Sequence, residues 1–515
     1  MKLKDEILKK EYPILTAILI LFSLQYFFSA WAKLSNYVFG AADTGILLTS
    51  LWQAGHFEIP VSYAEPGEIY FFLGKHFMPM GFLYGFFFRF LPFFETGLFI
   101  HAISFLIAGI FVYLLVREIT KNSWVSYIYL LCYLTVYTPP LSHFYFENWA
   151  TPYLAGGLYF LFKRKYGLAT VLFLLGSMFK EYISLCVAAL GVVLLIKQWL
   201  GREGDLSLTE KHRRNIYFIG WFVGGLLWFV VSFFWIMEIF EPNWSDIGLF
   251  STLGSTKEEA LTGFLKNPIP VLMQMIHPVG FWYFWSWFGP LAFLPFIGFE
   301  MLLAVTPIVL LNFLASNFGA VHVGINDHYT VMLHPFIMAA GAVGWTRLSG
   351  LLDGSSAAAK NFFLGVILFI IGTAAFQGAR YHLYQLKTGF FYQRVLALHT
   401  KDIQEVIKLI PSTDSVSTEE PLIPFFSFRK HIVHEKSMGL HEPSYLLWDL
   451  FYRDGLSALF EKGKQIDWKI YDYPPDTFYS SAEWETKEMT CGYEAYEPVS
   501  RTGSLLLCRK KLAAL

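Results

Sequence analysis

The sequence predicts a polytopic α-helical membrane protein that ends in a C-terminal α/β domain, and three observations carry that reading. Apolar runs of about 20 residues recur, each long enough for a helix to cross the hydrocarbon of a bilayer. Hydrophobic residues make up 55% of the 515-residue chain, charged residues only 15%, and phenylalanine alone occurs 53 times, a usage too oily for an ordinary soluble domain. From about Tyr381 the composition changes, with charged residues at helical spacing followed by short strand-like runs. The expected division is therefore a membrane domain over 1–380, with an outer loop at 36–92, and a soluble domain over 381–515.

Taken in order, Lys2, Lys4, Lys9 and Lys10 precede the first apolar run, Pro13 to Trp31, so the positive-inside rule places the N-terminus in the cytoplasm. That run is longer than the apolar core of a signal peptide and lacks a small-x-small cleavage pattern, which predicts a permanent anchor. Residues 36–92 then lie outside. Prolines, glycines and Glu58, Glu65 and Glu68 interrupt them too often for one span, and their phenylalanines suit short helices in the headgroup layer.

The second span, Phe94 to Val116, ends at Arg117-Glu118-Ile119-Thr120-Lys121, a cytoplasmic signature. The third, Trp124 to Tyr137, exits into a stretch without Lys or Arg that holds His143, Glu147 and Asn148. The fourth returns to Lys163-Arg164-Lys165. The fifth climbs to Lys180-Glu181 at an outer turn, and the sixth descends to Lys197. Arg202, Lys211, Arg213 and Arg214 mark the next loop as cytoplasmic, before a seventh span from Ile216 to Phe240. Pro290, Pro295 and Pro307 predict kinks or a hairpin in the two shorter runs that follow, because proline cannot complete the helical ladder. Spans from Val331 to Arg347 and from Asn361 to Gln377 bring the total to about eleven, with the tail outside. The parity depends on the pair of runs around Glu300. In the tail, a helix ending at Ile410-Pro411, strands near 414–417, 431–434, 445–449 and 468–471, helical stretches near 422–428 and 455–461, and a hairpin turning at Arg501-Thr502-Gly503 give an α/β alternation.

The net charge of −1 gives no electrostatic case for nucleic acid. Cys132 and Cys186 lie in apolar runs and read as small buried hydrophobes. Cys491 and Cys508 fall in the polar tail, where export would permit a disulfide; two cysteines carry no spacing code, so their pairing stays open.

Charged and hydrogen-bonding side chains at membrane depth are costly and usually face a cavity. The outer-side ones are Asp43, Lys75-His76, His143 with Glu147-Asn148, Lys180-Glu181, and Asp327-His328 with His334. All fall on one expected side, whereas scattered structural polar residues would divide between two. Each also has a plain alternative: Asp43 as a helix cap, Lys180-Glu181 as an ion pair at a turn, His76 and His328 as satisfied interfacial histidines, Glu147 as a solvated acid. No close-set ligand motif such as His-Glu-x-x-His is present, so no metal site is assigned and no cofactor is certain.

At these residues the chain resembles a known family. Ala42-Asp43-Thr44-Gly45-Ile46 with Leu51-Trp52, Lys75-His76-Phe77-Met78-Pro79, His143-Phe144-Tyr145-Phe146-Glu147, Phe179-Lys180-Glu181, and Asp327-His328-Tyr329 with Pro335-Phe336 look like the successive marks of an uncharacterised prokaryotic multipass membrane family, itself similar to the GT-C membrane glycosyltransferases. The resemblance spans about residues 10–450. It implies a GT-C-like helical fold, a donor sugar carried on polyprenyl phosphate, and an acid in the first outer loop, matched by Asp43, that acts as general base on the acceptor hydroxyl. Many GT-C enzymes carry two adjacent acids in that loop, whereas here Ala42 precedes Asp43, which leaves participation of a divalent metal open.

The chemistry fits on its own terms. A lipid phosphate leaving group needs fixed cations beside it, and Lys75, His76, Lys180 and His328 are the candidates, with Arg380 more distant. Glu147 and Glu181 are orienters, or Glu147 is the base in place of Asp43; His143 and Tyr329 complete the substrate-binding set. The expected function is sugar transfer from a polyprenyl-phosphate donor to an unidentified acceptor on the outer face of the cytoplasmic membrane. The rivals are a transporter or lipid flippase, which would need polar residues on both faces and two related halves, and a non-enzymatic envelope assembly protein whose exported domain binds a partner.

Overall fold

The computed structural model describes residues 2–34, 42–64, 69–138, 145–200, 207–241, 254–266, 268–314, 328–429, 431–449, 490–502 and 504–511. Most of them are helical. Four helices are long and apolar enough to cross a membrane: Pro13–Ala32, Phe94–Thr120, Leu208–Phe240 and Ala357–Arg394. Shorter apolar helices, Ser123–Val136, Tyr166–Ser177 and Ile183–Trp199, pack among them.

Local sequence fixes the ends of these helices. Phe94–Thr120 stops where Lys121 turns left-handed at φ 55°, and the Asn122 side chain then accepts hydrogen bonds from the Trp124 and Val125 amides, capping Ser123–Val136. Thr151–Phe162 and Tyr166–Ser177 are separated by Arg164 at φ 57°. Ser207 caps Leu208–Val230 and Ser356 caps Ala357–Val395. The last of these helices, 39 residues long, runs straight through the composition change at Arg380 and Tyr381.

The proline-rich region is broken, as the kinks predicted. Pro278–Phe288 ends in a turn where Ala292 and Phe293 both have positive φ, and Leu294–Ile297, Glu300–Leu303 and Thr306–Leu314 follow as separate pieces. Glu300 and Arg347, on the helix His334–Leu351, form a two-pronged ion pair that pins this hairpin from within.

The tail folds as a five-stranded mixed sheet. β3 (Val416–Thr418) runs parallel to β4 (Ile432–His434) and to β5 (Tyr445–Asp449); β5 is antiparallel to β7 (Leu505–Lys510), which pairs with β6 (Tyr496–Thr502), giving the order β4-β3-β5-β7-β6. One face buries Val416, Ile432, Leu447, Leu505 and Leu507 against Ile403 and Val406 of the helix Ala397–Ile407. The opposite face buries Val433, Leu446 and Leu506 with Cys508, which is bonded to Cys491. The expected strand at 468–471 and helix at 455–461 lie outside the described residues.

The segment after the first helix opens with the helix Ala42–Gly55, includes a small antiparallel pair, β1 (Val61–Ser62) and β2 (Tyr70–Phe71), and continues into a single turn, Phe72–Lys75, and the helix Met80–Phe90. The helices of the loop touch through their glycines: a Cβ on Gly55 would overlap the Gly85 carbonyl, so only glycine permits this approach. The far side of Met80–Phe90 exposes an apolar stripe of Leu83, Phe86, Phe87 and Phe90.

The loop and the tail then pack on one another. Ile46 and Ala64 are part of the sheet's own core, and Tyr63 pairs with Val433 at the β4 edge, with the His434 amide donating to the Tyr63 carbonyl at 2.8 Å. Phe94 and Phe88 meet Phe425 and Phe428 ring to ring. The 42–90 segment and the C-terminal domain therefore share one end of the helical body.

Candidate active site

Chain segments far apart in sequence converge where that loop meets the helix ends. The short helix Phe146–Ala150 carries Glu147; the turn between Tyr166–Ser177 and Ile183–Trp199 carries Lys180 and Glu181; the turn Phe72–Lys75 delivers His76; and the one-turn helix His328–Val331 delivers Tyr329. An aromatic floor sets their positions. Tyr84 lies 5.0 Å from Trp149 and 5.5 Å from Phe179, and Phe146 lies 4.9 Å from Phe179 and 5.2 Å from Trp149. The neighbours in sequence of Glu147 and Lys180 are thereby locked together. Tyr84 also shares a hydrogen bond of 3.2 Å with Tyr153, and burial pushes its hydroxyl pKa well up, so it stays neutral.

Above the floor sit two ionic contacts. Lys180 and Glu147 form an ion pair with side chains only 2% and 5% exposed. The Lys180 ammonium lies 5.0 Å from the Tyr182 ring centre and 5.4 Å from that of Tyr329, so the cation is boxed by two aromatic faces. Beside it, the Glu181 carboxylate takes His76 Nδ1 at 3.2 Å on one oxygen and the Phe77 amide at 3.1 Å on the other. The Met80 amide donates to the Met178 carbonyl at 3.1 Å, which ties the loop to the same turn. Leaving a charge unpaired at such depth would cost several kcal/mol, so the arrangement holds only as a set.

The expected site residues thus divide. His76, Glu147, Lys180, Glu181 and Tyr329 are brought together. Lys75 adjoins His76, is half-buried, and has its ammonium 5.4 Å from the Tyr70 ring centre. Asp43 stands inside the first turn of Ala42–Gly55, where a helix dipole favours an acid; its side chain lies outside the described residues, as do His143, Asp327 and the His328 side chain. His334 is fully buried with its ring edge-to-face on Tyr137. Arg380 is exposed on Ala357–Val395, beside Gln377. Against the alternatives, Lys180 is ion-paired with Glu147 and Glu181 is hydrogen-bonded to His76, and Glu147 is buried.

Sequence reasoning missed Tyr182 and the aromatic floor. The only signal for Tyr182 was an aromatic directly after Lys180-Glu181. Asn148, next to Glu147, is buried with an amide oxygen that has no hydrogen-bond partner, which adds an acceptor to this wall. Among the described residues no group of three or more His, Cys, Asp or Glu side chains is placed to hold a metal.

No curated protein matches the sequence. Among solved structures the chain is similar to the archaeal oligosaccharyltransferase AglB from Archaeoglobus fulgidus, in complex with an inhibitory peptide and a dolichol-phosphate, at 12% identity, a TM-score of 0.42, and coverage of 87% of this chain and 71% of that one. The family described as "Predicted membrane protein (DUF2079)" matches residues 33–463, nearly the whole stretch over which the sequence marks recur, and the chain belongs to that family.

Proposed function

We propose that this protein is a membrane glycosyltransferase that moves a sugar from a polyprenyl-phosphate donor to an acceptor hydroxyl on the outer face of the cytoplasmic membrane. The observation that carries the reading is the convergence of His76, Glu147, Lys180, Glu181 and Tyr329 from separate segments at the end of the helical body that also holds the Asp43 loop. Asp43 is the general base: it takes the acceptor proton as that oxygen bonds to the anomeric carbon. The bond from that carbon to the phosphate breaks, and the polyprenyl phosphate leaves with the electron pair. Lys75, His76, Lys180 and His328 steady its charge, and His143 and Tyr329 line the donor. Glu147 pairs with Lys180, and Glu181 with His76 and the Phe77 amide, which supports reading these acids as orienters and Asp43 as the base.

In this reading about eleven spans cross the membrane, with the N-terminus in the cytoplasm and the C-terminal domain outside. The Cys491–Cys508 bond supports an oxidising location for that domain. The test is Asp43→Asn in purified protein: sugar transfer falls at least a thousandfold with expression and elution unchanged. Undiminished turnover removes Asp43 from the mechanism.

A further inference from the structure

A close approach between the C-terminal domain and the membrane domain lies two residues from Asp43. At Gly45 an added Cβ would overlap Ile423 Cγ2 and lie 3.1 Å from the Ile423 carbonyl carbon, so the helix Ala42–Gly55 rests directly on the 3-10 helix Glu420–Phe426. The Ser427 hydroxyl lies 3.2 Å from both the Gly45 and the Ile423 carbonyl oxygens, joining the two backbones. Ile46, 3% exposed, is buried in one core with Leu422, Ile423, Phe426, Val416 and Ile432. The other end of the same loop segment is held as well. The Gln53 amide bonds the Val61 backbone in both directions, at 3.0 and 2.7 Å, and two residues later Tyr63 pairs with the sheet edge.

We propose that the C-terminal domain is the positioning clamp of the Asp43 helix, with Gly45, Ile423 and Ser427 the positioning residues that fix where its first turn sits. This rests on Asp43 being the base. A general base must come within hydrogen-bond reach of the proton it takes, and a displacement of about 1 Å costs on the order of a hundredfold in rate. The first turn of a helix frays unless something holds it. Here the holding surface comes from a part of the chain nearly 380 residues away, as the Ser427-to-Gly45 separation of 382 records. The soluble domain thus acts on the membrane site by setting the geometry of its acid.

The test uses the full-length protein in detergent with Asp43→Cys as a reporter. Cys132 and Cys186 are buried and Cys491 is bonded to Cys508, so maleimide alkylation reads position 43. In the Asp43→Cys background, Gly45→Val changes the alkylation rate at least fivefold and moves its pH midpoint, and Ser427→Ala does so by at least twofold. Gly45→Ala shifts it less, and Gly45→Ala with Ile423→Ala returns it to within twofold of the reporter alone, because the overlapping methyl is gone. Should Gly45→Val fail to fold, judged by elution and an intact disulfide, Ser427→Ala and the Gly45→Ala pair decide. Alkylation unchanged in all of them overturns the clamp. That failure is separate from failure of the enzymatic reading, which is decided by Asp43→Asn in a transfer assay.

Discussion

The helix Phe94–Thr120 has an ionic cluster near each end, and the two are built differently. At its C-terminal end Glu118 pairs with Lys121 at 2.7 Å and with Lys163 at 2.6 Å, but these side chains are 21%, 69% and 38% exposed. At the other end Lys180 and Glu147 are 2% and 5% exposed, and Glu181 beside His76 is 3% exposed. The same residue types meet in both. Exposed pairs contribute little and are common at loop ends. Buried pairs are expensive to assemble and often no better for stability than apolar packing, so their presence asks for another reason. The transfer chemistry proposed for this end supplies one.

Substitutions can break this contrast. Lys180→Ala removes the ammonium from beside the buried Glu147 carboxylate and is expected to destabilise the protein by about 3–5 kcal/mol, read as a fall in the midpoint of thermal unfolding in detergent. Adding Glu147→Ala should recover part of that loss, and no recovery would show that the pair is not the unit. Glu181→Gln weakens the hold on His76 and on the Phe77 amide. Its expected cost is about tenfold in transfer rate, or ~1.4 kcal/mol, with little change in unfolding. Lys163→Ala, at the opposite end, should cost under about 1 kcal/mol and nothing measurable at high salt; a loss as large as that of Lys180→Ala would erase the distinction.

A smaller effect sharpens the comparison from the side of the C-terminal domain. His441 stacks 4.9 Å from Tyr63 and 4.5 Å from His431 where loop and sheet meet. Burial, and then the charge of Lys510, hold its pKa below the ordinary histidine value. The folded state therefore favours the neutral ring, so its contribution is complete above about pH 6.5 and is lost as the pH falls through the folded pKa. Protease release of the C-terminal domain should accelerate as the pH falls below about 6.5, and His441→Gln should flatten that dependence.

Much of the architecture was legible because it is written in local rules. The run from Phe94, the prolines around Pro295 and the hairpin over Tyr496–Thr502 and Leu505–Lys510 all depend on neighbours in sequence. The site residues were also legible as types: a Lys-Glu pair or a Lys-His pair in an apolar chain is conspicuous. Their partners were not. Glu147 reaches Lys180 across 33 residues and His76 reaches Glu181 across 105, and nothing in the spacing states which acid takes which base. The aromatic floor escaped for the opposite reason: in a chain with 53 phenylalanines, Phe146 and Phe179 look like any other packing. The packing of Gly45 on Ile423 was beyond reach, since a glycine needed for a close approach looks like a glycine in a loop until its neighbour is known.

The pairing of Tyr63 with Val433 also orders events during synthesis. Segment 42–64 is synthesised well before the strand Ile432–His434 that covers it. A nascent chain halted before about residue 430 holds every transmembrane charge discussed above and still lacks the surface on which that early segment settles. Synthesis of the sheet is thereby a prerequisite for a covered 42–64 segment.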